Sequence, residues 1–236
     1  LGQKPIYYYY DQNTFCFASE LRSLKEMGVE LNFSNEESIQ NYFLLGYIPA
    51  PLTMYQNTYK LKSGEVLEFN FKDSRISKFE FTYKNLRDYD YKDNKVIKKT
   101  FRELLLKSIE LRQIGDYKIN YAMSGGLDST SLAIISKEIL NYDIDTFTIK
   151  NDVNFLTEEE NNKFNEDYYY ANLISKKFKI RNTPIIIDFN KVLNNFIESS
   201  NSLEEPNYSF QNISQYMFFK EVSKYSRIMI TGDGAD

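Results

Sequence analysis

The chain has 236 residues, of which 42% are apolar and 26% are charged, and its formal net charge is −4. This composition is ordinary for a globular protein, and the scattered basic residues argue against a nucleic-acid or membrane surface. The sequence has no histidine and a single cysteine, Cys16, which excludes an internal disulfide, histidine metal sites and histidine-activated nucleophiles. Any metal ion must therefore be held by oxygen atoms, which suits Mg²⁺.

The sequence shows neither an apolar run of membrane-spanning length nor a signal-peptide pattern. Together with the single cysteine, this leads us to expect a cytoplasmic protein. The chain begins without methionine and stops inside a glycine-rich motif, so we expect it to be part of a longer protein. Cys16 lies in a predicted strand and is interpreted as a small buried side chain.

The first 81 residues predict an α+β domain with antiparallel strands. Two hairpins and two short helices are expected, the hairpins at residues 6–18 and 65–81 and the helices at residues 19–28 and 34–45. Ser34 and Glu37 are three residues apart and predict a capping box at the start of the second helix. Residues 82–93 are polar and rich in tyrosine, show no clear period, and predict a domain linker.

From Asn94 onward, predicted strands alternate with predicted helices. The strands are expected at residues 117–123, 145–150, 183–188 and 227–231, and the helices at residues 94–112, 129–140, 167–178, 191–199 and 211–225. This alternation implies parallel βαβ crossovers and an α/β fold with a doubly wound sheet. Residues 151–166 are acidic and predict a solvated surface loop. Glu204 and Glu205 predict either a loop between helices or a contact with substrate.

The most informative segment begins at Ser124 and reads Ser-Gly-Gly-Leu-Asp-Ser, between a predicted strand and a predicted helix. Gly125 and Gly126 can adopt backbone angles closed to other residues and let the main chain approach a ligand. With Ser124, Ser129 and the positive end of the helix, the exposed N–H groups predict an anion site. Asp128 would repel bound phosphates unless a divalent cation lay between them. The loop therefore predicts a magnesium nucleotide.

A plain strand-to-helix turn is the alternative interpretation of this loop. Serine and glycine are common in loops, and an aspartate near a helix start is ordinary capping. The spacing favours the phosphate site, because two glycines, an acid and a hydroxyl follow a strand in that order. The Gly-Lys-Ser/Thr end of the Walker pattern is missing. The loop instead resembles the pyrophosphate loop of the ATP pyrophosphatases, which adenylate a substrate and release pyrophosphate.

A second glycine loop follows the last predicted strand, where residues 231–236 read Thr-Gly-Asp-Gly-Ala-Asp. In doubly wound sheets, ligands bind beyond the carboxyl ends of the strands. If the strands before the two loops are neighbours, the carboxylates of Asp128, Asp233 and Asp236 face one pocket. Ile149, at the end of a third strand, would offer main-chain groups or an apolar surface to adenine.

These segments together resemble glutamine-dependent asparagine synthetases, from the end of the glutaminase domain into the synthetase domain. Residues 1–8 are similar to the family's Leu-Gly-x-Lys-Pro-Leu-Tyr-Tyr strand, and residues 17–20 match its Phe-Ala-Ser-Glu. Ser63 stands where the family usually has proline. The resemblance implies a partial glutaminase domain over residues 1–81 and a partial ATP pyrophosphatase domain over residues 94–236.

The resemblance implies that aspartate is converted to asparagine with MgATP and glutamine or ammonia, through β-aspartyl-AMP and release of pyrophosphate. Asp128 and Asp236 match carboxylates near Mg²⁺. Asp233 stands where a glutamate commonly assists formation and breakdown of the acyl-adenylate. The nucleotide contacts that the resemblance carries over are Met123, Ser124, Gly125, Gly126, Asp128, Ser129, Ile149, Thr231 and Gly232.

Asp233 is one methylene shorter than that glutamate, which leaves the acceptor open. The alternatives are an amidotransferase that acts on another carboxylate, as in sugar amidation or β-lactam formation, and a non-catalytic nucleotide-binding relative. The family's N-terminal cysteine nucleophile and a phosphate-contacting lysine are expected outside these residues, so the fragment alone is expected to be inactive. The expected partners are small molecules, with no nucleic acid or membrane, and a homodimer is left open.

Overall fold

The computed structural model describes residues 2, 4–11, 13–33, 35–81, 93–153, 156–206 and 209–234. The chain divides into two compact units, Leu1–Arg87 with Ser200–Ser209, and Asp88–Ser199 with Phe210–Asp236. Most of the expected linker, residues 82–92, lies outside the described residues. Among the described helices, none is both long and apolar enough to cross a bilayer.

The first unit contains antiparallel strands and helices, as the sequence predicts. Strand β1 (Tyr7–Tyr10) pairs with β2 (Phe15–Ala18) on one side and with β3 (Thr58–Lys60) on the other. Strand β4 (Glu65–Asn70) pairs with β5 (Arg75–Glu80) in a separate hairpin. Sequence patterns did not indicate β3, because three residues are too few to show an alternation.

The N-terminus of helix α1 (Leu21–Glu26) is capped by a residue far along the chain. The two carboxylate oxygens of Glu204 accept the backbone N–H groups of Leu21 and Arg22, each at 2.7 Å. Glu204 lies in the segment Ser200–Ser209, which belongs to this unit. Its carboxylate is therefore engaged in structure within the first unit, where the sequence had left open a loop or a substrate contact.

The N-cap of helix α2 (Glu36–Leu45) lies one residue later than the sequence indicated. Its N-cap is Asn35, whose side chain accepts the N–H of Ser38 at 3.2 Å. The predicted capping box of Ser34 and Glu37 is therefore wrong, and Ser34 itself lies outside the described residues. Asparagine caps a helix about as well as serine does, so the neighbouring residue takes the position.

The second unit is an open parallel α/β sheet, which confirms the predicted fold class. Within its described residues, four strands lie in the order β8 (Arg181–Asp188), β7 (Asp145–Asp152), β6 (Ile119–Ala122) and β9 (Ile228–Ile230), all parallel. In chain order they are the third, second, first and fourth. The direction of winding therefore reverses between β6 and β9, and such a reversal opens a crevice at the carboxyl ends of the strands.

Helices cover both faces of this sheet. Helices α4 (Leu127–Ile134) and α6 (Glu166–Phe178) pack on one face through a core that includes Tyr121, Met123 and Ala171. Helix α8 (Phe210–Val222) packs on the other face around Phe218. The helix bounds are α3 (Asn94–Arg112), α4 (Leu127–Ile134), α5 (Glu158–Phe164), α6 (Glu166–Phe178), α7 (Val192–Leu203) and α8 (Phe210–Val222). A π-helical turn, Ile135–Ile139, extends α4, and a 3₁₀ turn, Phe189–Lys191, leads into α7.

The prediction of a solvated loop over residues 151–166 is wrong. Strand β7 continues to Asp152, and α5 occupies Glu158–Phe164. A capping box starts α5, because Thr157 Oγ1 accepts the N–H of Glu160 at 3.4 Å and the Glu160 carboxylate accepts the N–H of Thr157 at 2.9 Å. This Thr-x-x-Glu spacing was readable in the sequence, although the segment lacks an apolar period.

Candidate nucleotide site

The first glycine loop begins where β6 ends. Met123 is buried, its N–H donates to the carbonyl oxygen of Phe147 at 2.9 Å, and its own carbonyl oxygen accepts from the Thr148 hydroxyl at 2.6 Å. These contacts anchor the start of the loop to β7. They also occupy the Met123 N–H, so a main-chain contact of this residue to a ligand can involve only its carbonyl oxygen.

Two serines close the loop across the first turn of α4. The Oγ atoms of Ser124 and Ser129 lie 3.0 Å apart, and Ser129 Oγ also accepts the Ser124 N–H at 3.2 Å. The N-cap of α4 is Gly126, which has no side chain with which to bond the first N–H groups of the helix. Those N–H groups carry the positive end of the helix dipole and stay available to an anion.

Gly125 is required by both its backbone and its surroundings. Its φ is +84°, in the region that favours glycine. A Cβ at this position would lie 2.7 Å from Tyr170 Cβ, 2.9 Å from Ala171 N and 3.0 Å from Asp167 O, all in α6. The loop is thus packed directly on the first turns of α6.

The second glycine loop lies against the first. Strands β6 and β9 are neighbours, with Tyr121 opposite Ile230. A Cβ on Gly232 would lie 2.8 Å from Ser129 N and 3.1 Å from Ser129 Cα. Only glycine lets the two turns approach this closely, and both loops open onto one cleft of about 470 Å³.

The carboxyl end of β7 forms another wall of this cleft. Strand β7 pairs with β8 along its whole length, whereas its register with β6 covers only Thr146 and Phe147. In a parallel strand the N–H and C=O of alternate residues point to the same side. Phe147 O bonds to Met123 on the β6 side, so Ile149 directs its N–H and C=O to the same side, beyond the point where β6 has ended.

The predicted site residues meet at this cleft, with two exceptions. Gly125 packs on α6 and is not part of the cleft wall, and Asp236 lies outside the described residues. Those that line the cleft are Met123, Ser124, Gly126, Asp128, Ser129, Ile149, Thr231, Gly232 and Asp233.

Comparisons with known proteins fit this arrangement. Residues 100–236 match the family model of asparagine synthase, and residues 1–80 match that of a glutamine amidotransferase domain. The chain belongs to the asparagine synthase family. This confirms the resemblance that the sequence indicated.

Two relatives of the family are similar along the whole chain. A protein of Methanocaldococcus jannaschii, provisionally named asparagine synthetase 2 (glutamine-hydrolysing), is 30% identical over 242 residues, which cover 100% of this chain and 44% of that protein. Asparagine synthetase 1 (glutamine-hydrolysing) of Bacillus subtilis is 22% identical over 236 residues, covering 100% and 35%. The chain therefore spans less than half the length of these relatives.

Among solved structures, the NH3-dependent NAD synthetase from Campylobacter jejuni is 12% identical to this chain, with a TM-score of 0.37. The match covers 56% of this chain and 54% of that one.

The sequence analysis did not identify several residues that line the cleft. They come from the α5–α6 junction, the turn before α7, and one face of α8. The capping box at Thr157 was the available signal for α5, and nothing local indicated the others. They are Phe164, Asn165, Asp167, Phe189, Gln211, Ser214, Gln215, Phe218 and Phe219.

The described lining carries carboxylates, from Asp128, Asp167 and Asp233, and no lysine or arginine. Burial at the cleft wall raises the pKa of Asp167 although part of the side chain meets solvent, and neighbouring Glu166 raises it further. No group of three acidic or cysteine side chains within the described ranges is arranged to hold a metal by itself.

The carboxylate of Asp128, in the first turn of α4, is exposed to solvent. One carboxylate beside phosphate oxygens is a donor set that suits Mg²⁺.

Proposed function

We propose that the protein containing this chain uses MgATP to activate the side-chain carboxylate of aspartate and then forms asparagine with nitrogen from glutamine or ammonia. The observation that carries the proposal is the approach of Gly232 to Ser129, which joins two glycine loops at the reversal of winding in the sheet. The family relationship supports the same chemistry. Residues 1–81 would belong to the glutaminase domain, residues 82–93 to the linker, and residues 94–236 to the ATP-binding domain.

The adenine base would lie at the carboxyl end of β7. Ile149 offers one N–H donor and one C=O acceptor on the open side of the strand. Adenine presents the complementary pair, an acceptor at N1 and a donor at N6. Guanine presents the reverse pair at the corresponding positions, so this edge would favour ATP over GTP. Phe147, Phe164 and Phe218 supply apolar surface nearby.

The phosphates would lie at the N-terminus of α4. The open N–H groups after Gly126 and the hydroxyls of Ser124 and Ser129 would bind them. Asp128, with Asp236 as the sequence predicts, would hold Mg²⁺, which neutralises charge on the phosphates when bound. Thr231 and Gly232 would contact the α-phosphate side of the nucleotide from the second loop.

Catalysis would consist mainly of positioning and charge stabilisation. An oxygen of the aspartate side chain attacks the α-phosphorus, and the bond to pyrophosphate breaks. Ammonia then attacks the acyl carbon, and the bond to AMP breaks as the amide forms. Asp233 lines the cleft directly after β9, and we assign to its carboxylate the proton that the attacking ammonia must lose.

The experiment is ATP–pyrophosphate exchange by the full-length protein, with aspartate and with a set of other carboxylic acids. We expect exchange that depends on aspartate. Asp233 is shorter than the family's usual glutamate, so the substrate could be another carboxylic acid. Exchange that occurs with another acid and not with aspartate would identify that acid as the substrate. Absence of exchange with every acid would contradict adenylation by this site.

A further inference from the structure

The side chain of Asn165 completes the open edge of β7. Its Oδ1 accepts the N–H of Asn151 at 2.7 Å, and its Nδ2 donates to the carbonyl oxygen of Asn151 at 3.0 Å. This two-point pairing is what a residue of a neighbouring strand would provide. The amide thus stands where β6 would have continued, two residues beyond Ile149.

Asn165 is held in this position from the helix side as well. Its Nδ2 lies 3.1 Å from the carbonyl oxygen of Asn161 and 2.7 Å from Asn161 Oδ1, in α5. The residue is only 9% exposed, and both the oxygen and the nitrogen of its side-chain amide are engaged. The residue therefore joins the end of β7 to the α5–α6 junction at the wall of the cleft.

The backbone of Ile149 lies between two fixed points. Two residues before Ile149, Phe147 is bonded to Met123, and two residues after it, Asn151 is bonded to Asn165 on the same edge of β7. Without the bonds from Asn165, the last residues of β7 would be paired only with strand β8. The direction of the Ile149 N–H and C=O would then be fixed only by the bond between Met123 and Phe147 and by the pairing with β8.

We propose that Asn165 is a positioning residue for the adenine base, and that it makes the edge of β7 selective for adenine over guanine. The proposal rests on the proposed function, because it assumes that a nucleotide occupies this cleft. Asn165 acts through Ile149 and Asn151, and it need not contact the nucleotide. The body of α6, which supports the glycine loop through Gly125, is held separately by Ala171 in the core. Loss of the Asn165 amide should therefore disturb base selection more than phosphate binding.

The test compares Asn165→Asp with wild type in the full-length protein. Aspartate keeps the shape and an acceptor for the Asn151 N–H, but it places negative charge against three oxygen atoms that lie within 3.1 Å of Asn165 Nδ2 in the wild type. We expect ATP affinity to fall by about tenfold. We also expect the preference for ATP over GTP to fall and inhibition by inorganic pyrophosphate to change little. Asn162→Asp, an exposed position in α5, is the matched control and should behave as wild type.

A second variant, Asn165→Ala, and a hydrogen-exchange measurement test the proposal independently of the added charge. Asn165→Ala removes the amide without adding charge, and should increase hydrogen exchange in residues 147–153 while also reducing the preference for ATP. Unchanged base preference in whichever variant folds would overturn the positioning role, while leaving the nucleotide site intact. Wild-type protein that binds no adenine nucleotide would overturn the proposed function itself, and the inference with it.

Discussion

Gly232 lies directly over the backbone of Ser129, with 2.8 Å between the Ser129 nitrogen and the position of a Cβ on Gly232. Real Cβ atoms do not approach a backbone nitrogen this closely, so the second glycine loop fits against α4 only because residue 232 lacks a side chain. The same approach brings Asp233 and Asp128 to one cleft.

Gly232→Ala should force the two loops apart while leaving the remainder of the sheet folded. A displacement of the order of 1 Å in a site of this kind reduces rates by roughly 100-fold, and we expect a loss of that size in ATP–pyrophosphate exchange. Gly115→Ala is the matched control, since a Cβ there would meet only Ile228 Cδ1, at 3.9 Å. Exchange within about twofold of wild type in Gly232→Ala would show that the contact is unimportant.

Asp145, at the other end of the sheet, should make stability depend on pH. Burial raises the pKa of Asp145, but hydrogen bonds from Arg181 and Lys118 outweigh burial and lower the pKa overall. Its oxygens lie 2.9 Å from Arg181 Nε and 3.1 Å from Lys118 Nζ. Because the folded-state pKa is below the unfolded value of about 3.9, the carboxylate stabilises the fold above that pH. This contribution is lost as the pH falls through the folded-state value.

Asp145→Asn should therefore lower the free energy of unfolding by about 1–2 kcal/mol at pH 7. Urea denaturation at pH 7 and at pH 3 measures the difference, which should shrink at the lower pH. Asp152→Asn, exposed at the opposite end of β7, is the matched control. A difference between wild type and Asp145→Asn that stays constant over this range would argue against the charge as its cause.

Glu204→Ala should weaken the first unit at the start of α1. Two backbone N–H groups, those of Leu21 and Arg22, would lose their acceptors. We expect a loss of about 1–2 kcal/mol and faster hydrogen exchange at both amides. Glu26→Ala at the end of the same helix is the control, and equal exchange in the two variants would contradict a capping role for Glu204.

The two glycine loops could be predicted from sequence because each is a local pattern. Glycines, hydroxyls and carboxylates at fixed spacing follow an apolar strand, and ligands bind beyond the carboxyl ends of such strands. That the two strands are neighbours was a condition of the prediction, and the pairing of β6 with β9 meets it. The predicted site residues of these two loops that the structure describes line one cleft, with the exception of Gly125.

The residues that the α5–α6 junction contributes to the cleft could not be predicted in the same way. Residues 158–164 are acidic and polar, so no apolar period marks the helix, and Asn165 resembles any polar loop residue. Its pairing with Asn151 depends on β7 being longer than β6, which is a property of the folded sheet. The cap that Glu204 provides to α1 likewise joins residues more than 180 positions apart.

The most direct test is a calorimetric titration of ATP into the full-length protein, with and without Mg²⁺, for wild type and Asp128→Ala. We expect wild type to bind ATP more tightly with Mg²⁺, and the variant to lose that gain while its thermal unfolding stays near that of wild type. Magnesium-dependent ATP affinity that is unchanged in Asp128→Ala would contradict the placement of the nucleotide on this loop.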